Sequence, residues 1–173
     1  MTSFILGGGC FWCLDSTYMQ FNGVSDVEVG YMGGSVQNPT YEQVCEGHTG
    51  HAEVARVIFD ESVVPAEVIL DMFFTLHDPT QLNRQGMDIG TQYRSAMFYE
   101  NDEQKAQFEA ARDRAIELWG DGIVTDIVPA TEFFMGEEYH QDFFAKNPNQ
   151  GYCNAVVLPK MQKVRAKFTQ YIR

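Results

Sequence analysis

Four cysteines and four histidines, with a few carboxylates and phenols, are the reactive stock of this 173-residue chain, and their spacing singles out one segment. Residues 7–13 read Gly-Gly-Gly-Cys-Phe-Trp-Cys. Three consecutive glycines suit a tight turn or a close backbone approach. If a helix starts near Cys10, its sulfur meets unpaired N–H groups and the positive end of the dipole, which favours a thiolate. Phe11 and Trp12 cannot face the same way on a helix, so one aromatic should border the sulfur and suit a small apolar or sulfur-bearing group. Two cysteine pairings compete with simple nucleophilic attack. Cys10-x-x-Cys13 is a redox spacing on a helix, whereas Cys10 and Cys13 with Cys45-x-x-His48 would make a Cys₃His zinc site across an unusually long gap. Cys153 sits in Asn147-Pro148-Asn149-Gln150-Gly151-Tyr152-Cys153, a turn-rich segment expected to be mobile, as a resolving thiol requires.

Other candidates lie where polar loops meet apolar strands. Glu53, in Thr49-Gly50-His51-Ala52-Glu53, enters a core-bound strand. There a carboxylate must be paired or protonated, and a neutral one is a general acid near pH 7. Asp88 and Tyr93 belong to a polar stretch ending Gly90-Thr91-Gln92-Tyr93-Arg94, and Tyr41 follows Asn38-Pro39-Thr40. Taken singly these three are equally at home as an Asx turn and two half-buried phenols.

The elements that would position these groups follow from periodicity. A strand is expected at 3–6, a helix at 10–20 and an alternating strand at 26–31. A loop with one helical turn near 41–45 leads to a strand at 52–59. Pro65 opens a helix with Val68, Ile69, Met72, Phe73 and Leu76 on one face. A polar loop over 78–92 precedes a strand at 93–99. Asn101 and Gln104 cap a helix that ends at Gly120. A strand at 123–128, a short helix near 137–145 and a helix opened by Pro159 complete the chain. The first six elements run β-α-β-β-α-β. This is an α+β, ferredoxin-like order in which a mainly antiparallel sheet carries helices, long irregular loops and a C-terminal helix.

Composition sets the limits. The length suits one domain, here 1–173, with a core large enough to need no disulfide framework. A net charge of −12 argues against a nucleic-acid partner. No stretch reaches the ~20 apolar residues of a membrane span, and the start carries no basic, apolar leader. The protein is expected to be cytosolic, monomeric and to keep its cysteines reduced. Five cations (Lys160, Lys163, Arg165, Lys167, Arg173) fall in the last 14 residues without one acid. They fit the solvated side of the last helix, or a docking face for an acidic partner.

Gly-Cys-Phe-Trp at 9–12, Gly-Tyr-Met-Gly-Gly at 30–34, Asn-Pro-Thr-Tyr-Glu-Gln-Val-Cys at 38–45 and Thr-Gly-His-Ala-Glu at 49–53 form an ordered set. Gly-Thr-Gln-Tyr-Arg-Ser-Ala at 90–96, Tyr-His-Gln-Asp at 139–142 and Gly-Tyr-Cys at 151–153 extend it. Together they resemble the A-type peptide methionine sulfoxide reductases over nearly the whole chain. The resemblance implies a ferredoxin-like α/β sandwich, with Cys10 as nucleophile and Phe11 and Trp12 receiving the substrate methyl group. Glu53 would protonate the sulfoxide oxygen, with Tyr41 and Tyr93 as donors and Asp88 as supporting carboxylate. His51 would be structural. It further implies reduction of the S epimer of methionine sulfoxide, free or in proteins, through a Cys10 sulfenic acid and an intramolecular disulfide. Thioredoxin would recycle that disulfide, with no metal or organic cofactor. The chain departs from one common form of the family in carrying Cys13, and only Cys153 matches the C-terminal resolving position. Cys13, Cys153 or a relay through both would resolve, with mobile Cys153 slightly favoured because an i,i+3 disulfide strains the first helical turn. Cys45 is expected to be buried and idle. A thiol-disulfide oxidoreductase using Cys10 and Cys13 is the alternative, and it leaves Glu53, Tyr41 and Tyr93 without a role.

Overall fold

A computed structural model describes all of residues 1–173. The order is β1 (Thr2–Gly7), α1 (Phe11–Tyr18), β2 (Val24–Met32), α2 (Tyr41–Cys45), β3 (Ala52–Phe59) and α3 (Ala66–Leu76). The hairpin strands β4 (Arg84–Gln85) and β5 (Asp88–Ile89) follow, then β6 (Ala96–Tyr99), α4 (Asp102–Trp119) and β7 (Asp126–Pro129). The chain ends with β8 (Phe134–Met135), α5 (Phe143–Lys146) and α6 (Leu158–Lys167). The main sheet has strand order β7-β6-β1-β3-β2-β8. Only the β6–β7 pair is parallel, and α4 supplies its crossover. Strands β6-β1-β3-β2 with α1 and α3 form the expected ferredoxin-like unit. No helix is long and apolar enough to cross a membrane.

Period-2 alternation divides the sheet into two faces. Phe4, Leu6, Val27, Val29, Ala55, Val57 and Phe59 join the helices in the main core. Ile5, Met32, Ala52, Val54, Ala96 and Phe98 form a smaller cluster, covered by Phe133 and Ala130. Glu53 has the parity of Ala55 and Val57, so it points into the helical layer beneath the start of α1.

Several elements differ from their expected extents. Helix α1 stops at Tyr18, and residues 91–93 form a 3₁₀ turn, leaving the strand to begin at Ala96. The expected strand at 123–128 is Asp126–Pro129. The expected helix at 137–145 is a turn at Glu138–His140 and a separate α5, broken by Asp142 in the left-handed region (φ 54°). The polar loop at 78–92 contains the β4–β5 hairpin, turned at Gly86 (φ 59°).

The largest correction concerns Cys153. α6 opens at Leu158 with Pro159 in its first turn, as expected, but helical structure already runs over 151–157 and leads straight into it. Proline lacks the N–H that would bond residue 155, and its ring crowds that carbonyl. The turn widens accordingly: Cys153–Val157 is π-helical, with the Leu158 N–H donating to the Cys153 carbonyl. Cys153 is therefore wholly buried in a helix, not carried on a mobile turn.

Candidate active site

Cys10 is delivered by the turn from β1 into α1. A Cβ on Gly8 would sit 3.0 Å from the His77 ring, and Gly9 has φ +87°, where an L side chain is strained. Cys10 is the N-cap residue of α1 and is 7% exposed. Burial raises its pKa first, Glu53 and Cys13 raise it further, and the hydrogen bond from the Trp12 N–H opposes them. The helix start alone predicts a thiolate. Burial outweighs it, and the resting group is the thiol.

Glu53 is 1% exposed. Its Oε1 accepts the Phe11 N–H at 3.2 Å, capping the turn that begins at Cys10, and its Oε2 has no partner. Burial raises its pKa to about 8 against the pull of that hydrogen bond. At neutral pH it is a carboxylic acid with a proton to give. Burial, then the nearby Glu53, raises the pKa of both Tyr41 and Tyr93, so the two phenols stay protonated donors. Asp88 Oδ2 accepts the Tyr152 hydroxyl at 2.5 Å. Burial lifts the Tyr152 pKa, and Cys10 and Cys13 lift it further, which places this phenol beside both sulfurs.

The aromatic wall is deeper than the sequence suggests. Phe11 is wholly buried, with its ring centroid 5.7 Å from that of Tyr31 and 6.4 Å from that of Tyr41. Half-buried Trp12 stacks on Phe143 at 3.8 Å and 5°. Its Nε1 donates to His140 Nδ1 at 3.0 Å, which assigns the proton of neutral His140 to Nε2. Glu137 ties the wall together by accepting from the Tyr31 hydroxyl and the Tyr41 N–H, each at 3.0 Å. Tyr31, Glu137, His140 and Tyr152 were not foreseen from sequence. For Tyr31, His140 and Tyr152 a signal existed, since they lie in the family motifs Gly-Tyr-Met-Gly-Gly, Tyr-His-Gln-Asp and Gly-Tyr-Cys respectively, whereas Glu137 lies in none.

All four cysteines are free. Cys13, fully buried, donates its N–H to the Cys10 carbonyl at 3.1 Å, an i→i+3 contact that draws the two side chains towards one side. Burial raises the Cys13 thiol to about 11, Lys160 pulls it down, and Cys153 is among the neighbours that push it up. Cys10, Cys13 and Cys153 all lie in the main core, and Cys13 is within electrostatic reach of both others. Cys45 is exposed rather than buried, and the Tyr41 and Tyr93 phenols approach its sulfur. Cys10, Cys13, Cys45 and His48 do not converge into a metal-holding set. His51 is buried as a structural residue, accepting the Gly34 N–H at 3.0 Å through Nδ1 and meeting the Val36 carbonyl at 2.6 Å through Nε2.

A buried thiol, a neutral carboxylic acid and two phenols around an aromatic wall can deliver a nucleophile and protons to a small polar group on an apolar body. Comparison with known proteins gives the class that builds this site. The chain belongs to the peptide methionine sulfoxide reductase family, whose profile matches residues 2–172. Its chemistry is the reduction of methionine sulfoxide. The chain is 60% identical to the peptide methionine sulfoxide reductase MsrA of Clavibacter michiganensis subsp. michiganensis over 173 residues, covering 100% of this chain and 99% of that one. Among solved structures it is similar to reduced Mxr1 of Saccharomyces cerevisiae (TM-score 0.83, 35% identity, 88% of each chain). It is also similar to methionine sulfoxide reductase A of Corynebacterium diphtheriae (TM-score 0.78, 36% identity, 88% of this chain and 77% of that one).

Proposed function

We propose that the chain reduces the S epimer of methionine sulfoxide, free or in proteins, through a Cys10 sulfenic acid. The observation that carries this reading is a buried, protonated Glu53 bound to the helical turn that Cys10 caps. A sulfoxide is a poor electrophile until its oxygen is protonated. Glu53 gives that proton, and Tyr41 and Tyr93 donate to the same oxygen in a water-poor pocket. As the Cys10 sulfur attacks the substrate sulfur, its proton replaces the one Glu53 has lost. The oxygen then passes to Cys10. Methionine leaves reduced by two electrons, and Cys10 is oxidised by two to S–OH. Trp12, held by His140 and Phe143, faces the methyl group, with Phe11 behind it. Asp88, through Tyr152, fixes the opposite side of the sulfur.

Resolution follows as a relay. Cys13, one turn away, attacks the sulfenic sulfur; water leaves and a Cys10–Cys13 disulfide forms. The buried Cys153 then attacks Cys13, which frees Cys10 as a thiol and moves the disulfide to Cys13–Cys153. The dithiol of thioredoxin reduces that bond and is itself oxidised. Mxr1 of Saccharomyces cerevisiae is known in complex with Trx2, which supports a reductant of this kind. The deciding experiment is Cys10→Ser with a methionine sulfoxide substrate of defined configuration. Turnover of the S epimer should vanish while thermal stability is retained. Residual activity above a few per cent, or equal turnover of the R epimer by the wild type, would sink the reading.

A further inference from the structure

The first 159 residues hold all 24 acidic residues and seven of the twelve cations, so the C-terminal helix is the one strongly basic feature of an acidic molecule. The ion pairs use Arg56, Lys105, Arg114 and Lys146, and none of the five C-terminal cations. Lys160, Lys163 and Lys167 are spaced three and four apart and share one face of α6. Like charges at 163 and 167 cost the helix a few tenths of a kcal/mol, an expense that solubility does not demand of a chain already at −12.

The ridge has definite neighbours. Lys163 lies over the Trp119 ring at 5.8 Å, and the Lys167 amino group donates to Thr75 Oγ1 at 3.3 Å. The charge of Lys160 reaches both Cys13 and His77. One end of the ridge therefore lies at the thiol relay. Cys153 is on the same helical run, seven residues before Lys160, or about 10 Å along the axis. Beside the other end, α3, α4 and α6 frame a groove of about 550 Å³ with Phe74, Leu118 and Phe168 in its walls and Lys167 at its edge. Leu118 is 54% exposed there.

We infer that the Lys160–Lys163–Lys167 ridge and the adjoining groove form the docking face for the reductant, a thioredoxin-class protein with an acidic rim around its thiol. The inference rests on the thioredoxin reading above. Complementary charge steers the encounter and sets orientation, and Phe74, Leu118 and Phe168 supply apolar contact area in a groove whose Asp71 is paired with Arg114 and whose other acid is Glu117. Pro159 and the π turn divide the labour. The helix beyond Leu158 is a platform, while the turn around Cys153 opens to present the disulfide.

The test uses the full-length Lys163→Glu/Lys167→Glu protein, with Lys163→Gln/Lys167→Gln as the milder variant, and a purified acidic thioredoxin. Turnover supported by dithiothreitol should match the wild type, as should KM for the sulfoxide. KM for thioredoxin should rise about tenfold in the charge-reversed variant, less in the neutralised one, and the difference should shrink as salt is raised. An unchanged KM for thioredoxin overturns the inference. So does a rise in KM for an acidic sulfoxide-bearing peptide instead, which would make the ridge a substrate face. A wild type that turns over sulfoxide with neither reductant would instead defeat the catalytic reading on which the docking face rests.

Discussion

Glu53 shows how one residue acquires its chemistry from its position. Strand parity turns it under α1, burial keeps it protonated to about pH 8, and the Phe11 N–H occupies one oxygen while the other waits. In the proposed step the reactive state holds both protons, on Glu53 and on Cys10. Rate should therefore fall as pH rises through about 8, where Glu53 ionises. Glu53→Gln keeps the shape and the acceptor but has no acidic proton. It should lower kcat by roughly 10²–10⁴-fold, and the limb near pH 8 should disappear. Single-turnover rates between pH 6 and 9.5 decide the matter, because a wild-type rate that climbs through pH 8 means that the state missing one proton reacts. The chemistry of Glu53 was legible in sequence, since a carboxylate carried into an apolar strand has to be paired or protonated. The place of Cys10 at a helix start was legible in sequence, but its protonation state was not. The glycines and the helix start announce a thiolate, whereas the burial that opposes it, reinforced by Glu53 from 43 residues along the chain, is set by tertiary packing.

At the scale of elements, α1 and the 151–167 helix hold the three sulfurs of the proposed relay, and in that proposal each helix governs one step. An i→i+3 turn brings Cys13 towards Cys10, yet a disulfide needs Cβ atoms ~3.5–4.5 Å apart, so the first turn of α1 must deform to close it. Handing the bond to Cys153 relieves that strain. Cys13→Ser should stop after one turnover with Cys10 as a sulfenic acid that a dimedone-type probe labels. Cys153→Ser should instead accumulate a Cys10–Cys13 disulfide that dithiothreitol still reduces. Intact-mass and peptide analysis after one equivalent of sulfoxide separates the two states, and a labelled sulfenic acid in Cys153→Ser would mean that Cys153 resolves directly. The ferredoxin-like core was readable from alternation and caps because each of its elements is locally consistent. The last helix was readable too, but the segment leading into it was not. Turn-forming Asn147, Pro148 and Gly151 imply a loop, but the burial of Cys153, Val157 and Val164 against the core makes the segment helical, and the π turn absorbs Pro159. Tertiary packing decided there, and no local pattern announces it.

For the molecule as a whole, the buried titratable groups set how stability depends on pH. Asp15 is 1% exposed with Oδ1 unpartnered, and burial raises its pKa from 3.8 to about 7. Glu53 is raised from 4.5 to about 8. Each binds its proton more tightly when folded, so each costs stability as pH rises from its unfolded to its folded value. His77 and His140 are shifted the other way by burial, His77 from 6.5 to about 4, and they cost stability as pH falls below 6.5. Between about pH 5 and 6.5 the two pairs offset each other. Above 6.5 the histidines are neutral in both states, and only the acids remain. Asp15 then contributes until about pH 7 and Glu53 until about pH 8, a loss of roughly 2–3 kcal/mol in all. For a chain of this size that is on the order of 5–10 °C in Tm. Calorimetry of the reduced protein should find a plateau from pH 5 to 6.5 and a fall towards pH 8.5. Glu53→Gln should remove most of that fall, and Asp15→Asn, which keeps an acceptor for the Asp142 N–H, a smaller part. A Tm that holds or rises between pH 6.5 and 8.5 would mean that neither acid is held protonated by the fold, and the proton that Glu53 is proposed to give would have to come from elsewhere.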